Sequence, residues 1–193
     1  MEGSGNVVTE SREVSGFDEV VLSGSGRVDI DVTGEESLTI EAEDNIMPLL
    51  ETEVRDGQLV LGNRSAISPT VDVVYTITAA DLAAVDVSGS GVVDATGIKG
   101  TDFSVETSGS GAVRLEGTVT GLLSVSISGS GEFEGESLTA TEGQVDVSGS
   151  GSAVVKATDS LEVSVSGSGD VEYIGSPDLD VDTSGSGNVS QRD

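Results

Sequence analysis

The tetrapeptide Ser-Gly-Ser-Gly begins at Ser23, Ser88, Ser108, Ser128, Ser148, Ser166 and Ser184, and a trimmed copy, Gly3-Ser4-Gly5, stands near the start. From Ser88 onward the intervals are 20, 20, 20, 18 and 18 residues. A fixed period of this size is the signature of a solenoid, in which each repeat is too small to bury its own apolar face and does so only against its neighbours.

Aligning the copies on the tetrapeptide shows what each repeat contains. Three residues before the first Ser stand Val20, Val85, Val105, Val125, Val145, Val163 and Val181; one residue before it stand Leu22, Val87, Thr107, Ile127, Val147, Val165 and Thr183. Five before it, in the last six copies, stand Ala83, Phe103, Leu123, Gly143, Leu161 and Leu179. Between them lie Asp86, Glu106, Ser126, Asp146, Ser164 and Asp182. Such alternation is that of a strand with one face inward and one in water. It resumes past the tetrapeptide at Val7, Val28, Val93, Val113, Phe133, Ala153, Val171 and Val189, then at Thr9, Ile30, Ala95, Leu115, Gly135, Val155 and Tyr173. Each repeat therefore reads as strand, SGSG corner, strand, looser turn, the looser turns being TGIKGTD, EGTVTG, GESLTATEG, ATDS and GSPD.

Like strands of successive repeats are expected to lie parallel, about 4.8 Å apart, with right-handed crossovers. The expected fold is all-β: a right-handed parallel β-helix or superhelix of two sheets, with coils of about 20 residues meeting at SGSG corners. Composition agrees. The apolar share is 35%, with two Tyr, three Phe and no Trp, which suits a thin aliphatic core. Gly at the second and fourth corner positions permits positive φ and removes Cβ atoms that would meet the next coil. In-register Ser columns could bond the local backbone. A flexible linker is excluded, because linkers are not flanked by in-register Val columns.

We expect one domain over residues 1–193, with irregular coils and two longer loops over 1–82 and regular repeats over 83–193. The 65 residues between Ser23 and Ser88 correspond to about three coils. In that stretch Leu38, Ile40 and Ala42 fit a first strand, Asp44–Leu50 a corner replaced by a short helix, and Thr52 and Val54 a second strand. Leu59 and Leu61 follow after Asp56-Gly57, the loop Gly62–Thr70 replaces another corner, and Val71, Val73, Tyr75 and Ile77 make a second strand. This threading gives about nine coils and roughly 40 Å of stack. Asp-Gly between apolar runs is equally a hairpin signal, so a hairpin subdomain packed on the superhelix is the alternative.

Eight basic against 35 acidic residues give a net charge of −27. That excludes general nucleic-acid binding, which needs clustered cations, and disfavours anionic membrane surfaces. Six of the eight cations are Arg; Lys99 and Lys156 are the only Lys. An acidic, Lys-poor surface fits either salt adaptation, where repulsion is screened, or an ordinary acidic extracellular protein. There is no Cys, no apolar run long enough to span a bilayer and no signal peptide in the sequence. Direct membrane insertion of this chain is not expected.

For chemistry, the sequence holds no His and no Cys, and its corner Ser residues have no base beside them. A phosphate loop would need a following helix and Lys. A calcium β-roll would need Asp after the last Gly in most copies, but the residues there are Asn6, Arg27, Val92, Ala112, Glu132, Ser152, Asp170 and Asn188. Carboxylate pairs exist at Glu35/Glu36, Glu41/Glu43, Glu51/Glu53 and Glu132/Glu134. On a surface this acidic they read as a solvated face rather than as acid/base or metal groups. We therefore expect no catalytic residue, no metal, no cofactor and no enzyme. Asn63-Arg64-Ser65 and Asn188-Val189-Ser190 fit the N-glycosylation pattern.

The phrases GSGNVVTESREVSGFDEVVLSGSGRVDI and ESLTIEAEDNIMPLLETEVRDGQLVLG, with the serial VSGSG strands, resemble the auto-transporter adhesin head (GIN) domain family from about Gly3 to the end. The resemblance implies a two-sheet β-superhelix with tight Gly-Ser-Gly turns, in secreted or lipid-anchored surface proteins whose proposed role is adhesion. It carries over no catalytic residues. The chain departs from it in having no lipobox Cys, no signal peptide and an extreme acidity. The expected function is a non-catalytic extracellular or cell-envelope module for adhesion or ligand display, with a surface glycan or protein as partner. The alternative is a self-assembling scaffold or sensor, since GSGNV occurs at both Gly3–Val7 and Gly185–Val189 and open solenoid ends invite pairing. Any specific site is expected first at Asp44–Leu50 and Gly62–Thr70, where corners are missing.

Overall fold

The Val columns turn inward and stack. The structure, a computed structural model, describes residues 1–192. In the N-terminal half the strands are β1 (Val7–Arg12), β2 (Glu19–Gly24), β3 (Arg27–Val32), β4 (Ser37–Glu43), β5 (Leu50–Arg55), β6 (Gln58–Asn63), β7 (Val74–Ala79) and β8 (Ala84–Gly89). There follow β9 (Val92–Gly100), β10 (Phe103–Gly109), β11 (Ala112–Gly129), β12 (Glu132–Gly149), β13 (Ser152–Gly167), β14 (Asp170–Ile174), β15 (Asp178–Gly185) and β16 (Asn188–Gln191). They form one 16-stranded sheet folded over on itself into a parallel β-solenoid.

From β8 onward the chain winds in order, and like residues meet like. Ser108-Gly109 pairs with Ser88-Gly89 on one side and Ser128-Gly129 on the other. Val85, Val105, Val125, Val145 and Val163 are all buried, as are Val87, Ile127, Val147 and Val165 of the adjacent column. Burying each such side chain is worth about 1.5–3 kcal/mol, repeated at every rung. Where one column changes size, its neighbour compensates. Phe133 is fully buried, and a Cβ on Gly135 would stand 2.6 Å from its Cε1; Gly135 leaves the space the ring occupies.

The corners continue the ladder instead of interrupting it. Ser110 N donates to Gly89 O at 2.8 Å and Ala112 N to Gly91 O at 3.0 Å, and later corners repeat both bonds. The two Gly positions have different reasons. Gly109 has φ +131, and a Cβ there would lie 2.5 Å from Gly89 O. Gly111 is not in the left-handed region; its Cβ would press on Val87 Cγ1 at 2.5 Å and Gly91 O at 2.9 Å. The expectation of positive φ thus holds at the second position, whereas the fourth position of these regular corners requires Gly for space.

The looser turns are not turns in the centre of the stack. EGTVTG lies inside β11 and GESLTATEG inside β12, as bends with register shifts between Arg114 and Glu116 and between Glu134 and Thr139. Ile98, Val119, Leu138, Ala140 and Ala157 point inward there and are buried, so the core is closed along this edge too.

The N-terminal third departs from the sequential threading. β2 lies directly beside β8 and β3 beside β9, both parallel. The rung β6/β7 lies on the far side of β2/β3. No three coils separate Ser23 from Ser88; the intervening chain leaves the stack, builds its end and returns, and the count of nine sequential coils is overturned. β4 is not a first strand: it lies antiparallel against β7 in the other face, with β1 antiparallel outside it. β5 is not a second strand but forms an antiparallel hairpin with β6, turning at Asp56 (φ 51) and Gly57 (φ 87), the two positive φ values of a type I′ turn. The hairpin is not a separate subdomain, because β6 carries Leu59 and Leu61 into the common core. Gly3-Ser4-Gly5 is not a corner, and Val7, placed in an inward column by its spacing, is exposed on edge strand β1.

Candidate functional site

The two segments that replace corners are brought together, and the N-terminal residues lie across them. Between β4 and β5 the chain makes one 3-10 turn at Met47–Leu49. Ile46, Met47 and Leu50 are buried and plug the gap between the two faces. Arg12 holds this turn from β1, its guanidinium donating to Leu50 O at 3.0 Å, Thr52 Oγ1 at 3.0 Å and Met47 O at 3.3 Å. The second segment docks on the first through Arg64 N to Leu49 O, 2.9 Å.

Glu43, at the end of β4, is fully buried. Gly5 N donates to its Oε1 at 2.6 Å, Thr70 Oγ1 to the same oxygen at 2.5 Å, and Thr70 N to Oε2 at 2.9 Å. There is no room for a Cβ on Gly3 against this carboxylate. The Thr70 hydroxyl, more than the opposing effect of burial, holds the Glu43 carboxyl below its ordinary value, and the backbone donors of Gly5, Thr70 and Val71 add to it. Asp44 is lowered in the same sense by the Ser4 hydroxyl and then by Asn6; Ser4 Oγ donates to it at 2.5 Å and Asn6 Nδ2 at 3.0 Å. Met1 and Gly3 complete the seam, with Met1 N donating to Ala66 O at 2.8 Å and Gly3 N to Ser68 O at 3.0 Å. Both carboxylates are kept ionised as acceptors, so they tie three segments together and are not set as proton donors at neutral pH.

Of the carboxylate pairs, Glu35/Glu36 and Glu41/Glu43 part in environment, while Glu51/Glu53 and Glu132/Glu134 each stay on one face. Glu36 accepts from Gly16 N at 2.8 Å and Phe17 N at 3.2 Å, closing a loop, while Glu35 is exposed. Glu41 is exposed although Glu43 is sealed. Glu51 pairs with Arg64 and Glu53 with Arg55. Glu132 and Glu134 line an open groove of about 420 Å³ on the outer face with Glu136, Asp170, Glu172 and Arg192. On that face a chain of ion pairs climbs the rungs, Arg27 to Asp94 at 2.7 Å, Asp94 to Arg114 at 3.6 Å and Arg114 to Glu134 at 2.6 Å. Among the described residues no three His, Cys, Asp or Glu are grouped to hold a metal ion.

The corner Ser residues form the expected columns, and Ser88 Oγ donates to Ser23 Oγ at 3.4 Å. Asn63 ends β6, exposed, with its Nδ2 donating to Ser65 O at 2.8 Å; Asn188 opens β16 and is exposed. Among the described residues no helix is long and apolar enough to cross a membrane.

Fold and surface together define a parallel β-solenoid with one end built from antiparallel strands and loops. The chain belongs to the family described as putative auto-transporter adhesin, head GIN domain, whose model matches residues 16–177. Among solved structures it is similar to a putative adhesin from Bacteroides fragilis, at 22% identity and TM-score 0.79 over 100% of both chains. It is also similar to a putative adhesin from Parabacteroides merdae, at 17% identity and TM-score 0.60 over 100% of this chain and 99% of that one. A putative lipid binding protein from Parabacteroides distasonis gives 22% identity and TM-score 0.61 over 100% of this chain and 99% of that one. At these identities the likeness is one of fold. No curated protein matches the sequence.

Proposed function

We propose that this chain is a non-catalytic module of the cell envelope or extracellular space that displays a rigid surface to a glycan or protein partner. The observation that carries the reading is the rung-by-rung stacking of outward side chains in register, as Asp94 beside Arg114 and Arg114 beside Glu134. A surface of this kind offers one chemical group at every rung, about 4.8 Å apart, which matches a partner that is itself repetitive or flat. Membership of an adhesin-named family supports the same direction. The end built around Glu43 serves to close the solenoid, leaving the broad faces for display.

The test is binding of the purified chain to arrays of glycans and extracellular proteins, over a salt series, with outer-face variants Arg114→Glu and Glu134→Lys. The reading predicts saturable binding that these substitutions alter by more than their modest cost in stability explains, about 0.2–1 kcal/mol for each like-charge pair they set across neighbouring strands. Absence of any bound partner together with turnover of a substrate would overturn it.

A further inference from the structure

The two ends of the solenoid are finished differently. At one end Ile46 and Met47 fill the space between the faces. At the other, β15 pairs with β13 alone among the described residues, and its second edge is free. Its inward residues continue the buried columns, Leu179 opposite Leu161 and Val181 opposite Val163, but they stand 38% and 40% exposed where their counterparts are sealed. The outward residues between them are Asp178, Asp180 and Asp182, all exposed. An open groove of about 600 Å³ on the same face adds Glu142 and Glu162 beside Leu179. The edge therefore offers unpaired backbone, two aliphatic steps and a row of carboxylates at two-residue spacing.

We propose that the free edge of β15 binds an extended segment of another protein by strand addition, and that this segment alternates aliphatic residues with Lys or Arg. Strand addition takes its affinity from main-chain hydrogen bonds and its specificity from alternate side chains. The aliphatic set would stack on Leu179 and Val181 and carry the core columns one rung further. The cationic set would lie opposite Asp178, Asp180 and Asp182, where like charges directly across a strand pair would repel. That charge pattern disfavours a second copy of this chain. Two β15 edges would set Asp against Asp, and no strand here supplies alternating cations, the eight Lys and Arg residues never standing closer than Arg55 and Arg64. The acids thus protect a sticky edge from its own kind and admit a strand of opposite charge. This inference concerns one edge and stands independently of what the broad faces bind.

The probe is a synthetic peptide of about ten residues, the length of a long strand, alternating Val or Leu with Lys or Arg. It is compared with a peptide of identical composition whose aliphatic residues are grouped in one block, by fluorescence anisotropy against the intact chain at about 0.15 M salt. The alternating peptide is expected to bind at least about tenfold more tightly than the blocked one. Val181→Lys, at an exposed site that leaves the melting transition in place, is expected to weaken it by at least about tenfold. Amide exchange over residues 178–185 is expected to slow when the alternating peptide is bound. Equal binding of both peptides would show charge attraction alone and overturn the proposal. So would binding indifferent to Val181→Lys, or sedimentation of the free chain as a dimer that Val181→Lys dissolves, which would make a second copy the occupant.

Discussion

Ser23 and Ser88 stand 65 residues apart in the chain and side by side in the ladder, Ser88 Oγ donating to Ser23 Oγ at 3.4 Å within the register that pairs Gly24 with Gly89. The first coil of the repeat therefore rests directly on the second, and everything between them is an excursion that builds the closed end. Asp31 and Thr96, also 65 apart, repeat the relationship on the other face at 2.6 Å.

Corner geometry is the first thing to test. Gly109→Ala is expected to destabilise by more than about 1 kcal/mol, because it adds a Cβ at positive φ and aims it at Gly89 O. Gly34→Ala, at φ +92 with open space around it, is expected to cost less. Calorimetric melting of the two variants gives the comparison; equal losses would mean that packing between corners contributes nothing.

Thr107 lies in the inward column between Val87 and Ile127, and its Oγ1 is buried without a hydrogen-bond partner. Thr107→Val keeps the shape and removes the unpaired hydroxyl, so it is expected to stabilise by about 1 kcal/mol or more. Urea unfolding checks this through an increase in midpoint at constant m-value.

Much of this architecture is legible in the residues. From residue 83 onward the Val columns, the corners and the parallel register follow from spacing alone, because each coil repeats the last and has only one neighbour to choose. The N-terminal third was legible as strands but not as an arrangement. Alternation in Leu38, Ile40 and Ala42 is the same whichever way a strand runs and whichever strand it joins, so it could not show β4 lying antiparallel to β7. The Asp56-Gly57 turn was signalled, yet the sequence could not show that β6 would slide in beside β2. Gly3-Ser4-Gly5 imitates a corner in type while serving as a strap over Glu43. Glu43 itself left no signal, since its donors Gly5 and Thr70 come from 38 residues before and 27 after it. Ile98, Val119 and Leu138 were hidden in segments whose Gly and Thr read as turns.

Acid should open the strap first. Folding lowers the pKa of Glu43 and Asp44, so their stabilisation is complete above the unfolded values of 4.5 and 3.8 and is lost as pH falls through the lower folded values. The amides of Gly5 and Thr70 are expected to lose exchange protection in that range while those of Val105 and Val125 keep it. Glu43→Gln is expected to give the same local opening at neutral pH. Protection at Gly5 that is indifferent to both changes would contradict the role assigned to the carboxylate.

Asp86 has the opposite sign. Burial first, and then Glu106 on the adjacent strand, raise its pKa, so its effect on stability worsens as pH rises through the folded value. Asp86→Asn is expected to raise the melting temperature at neutral pH and to change it little in acid. A variant less stable than the parent at pH 7 would refute this.

Repulsion among 35 acidic side chains should make the fold salt-dependent. The melting temperature is expected to rise from about 0.01 M to about 1 M salt, as the screening length shrinks from roughly 30 to 3 Å. A flat profile would show that the charges are already balanced by the ion-pair ladders.

The most direct measurement uses the absence of cysteine from the chain. Ser23→Cys with Ser88→Cys places two thiols on paired residues of adjacent strands, about 4.8 Å apart at Cα and within the range a disulfide spans. Oxidation of the folded double variant is predicted to give an intramolecular bond in nearly all molecules, whereas Ser23→Cys with Ser128→Cys, two rungs further on, is predicted to stay reduced. A Ser23/Ser88 pair that remains reduced in the folded protein would contradict the out-of-order stack on which this account rests.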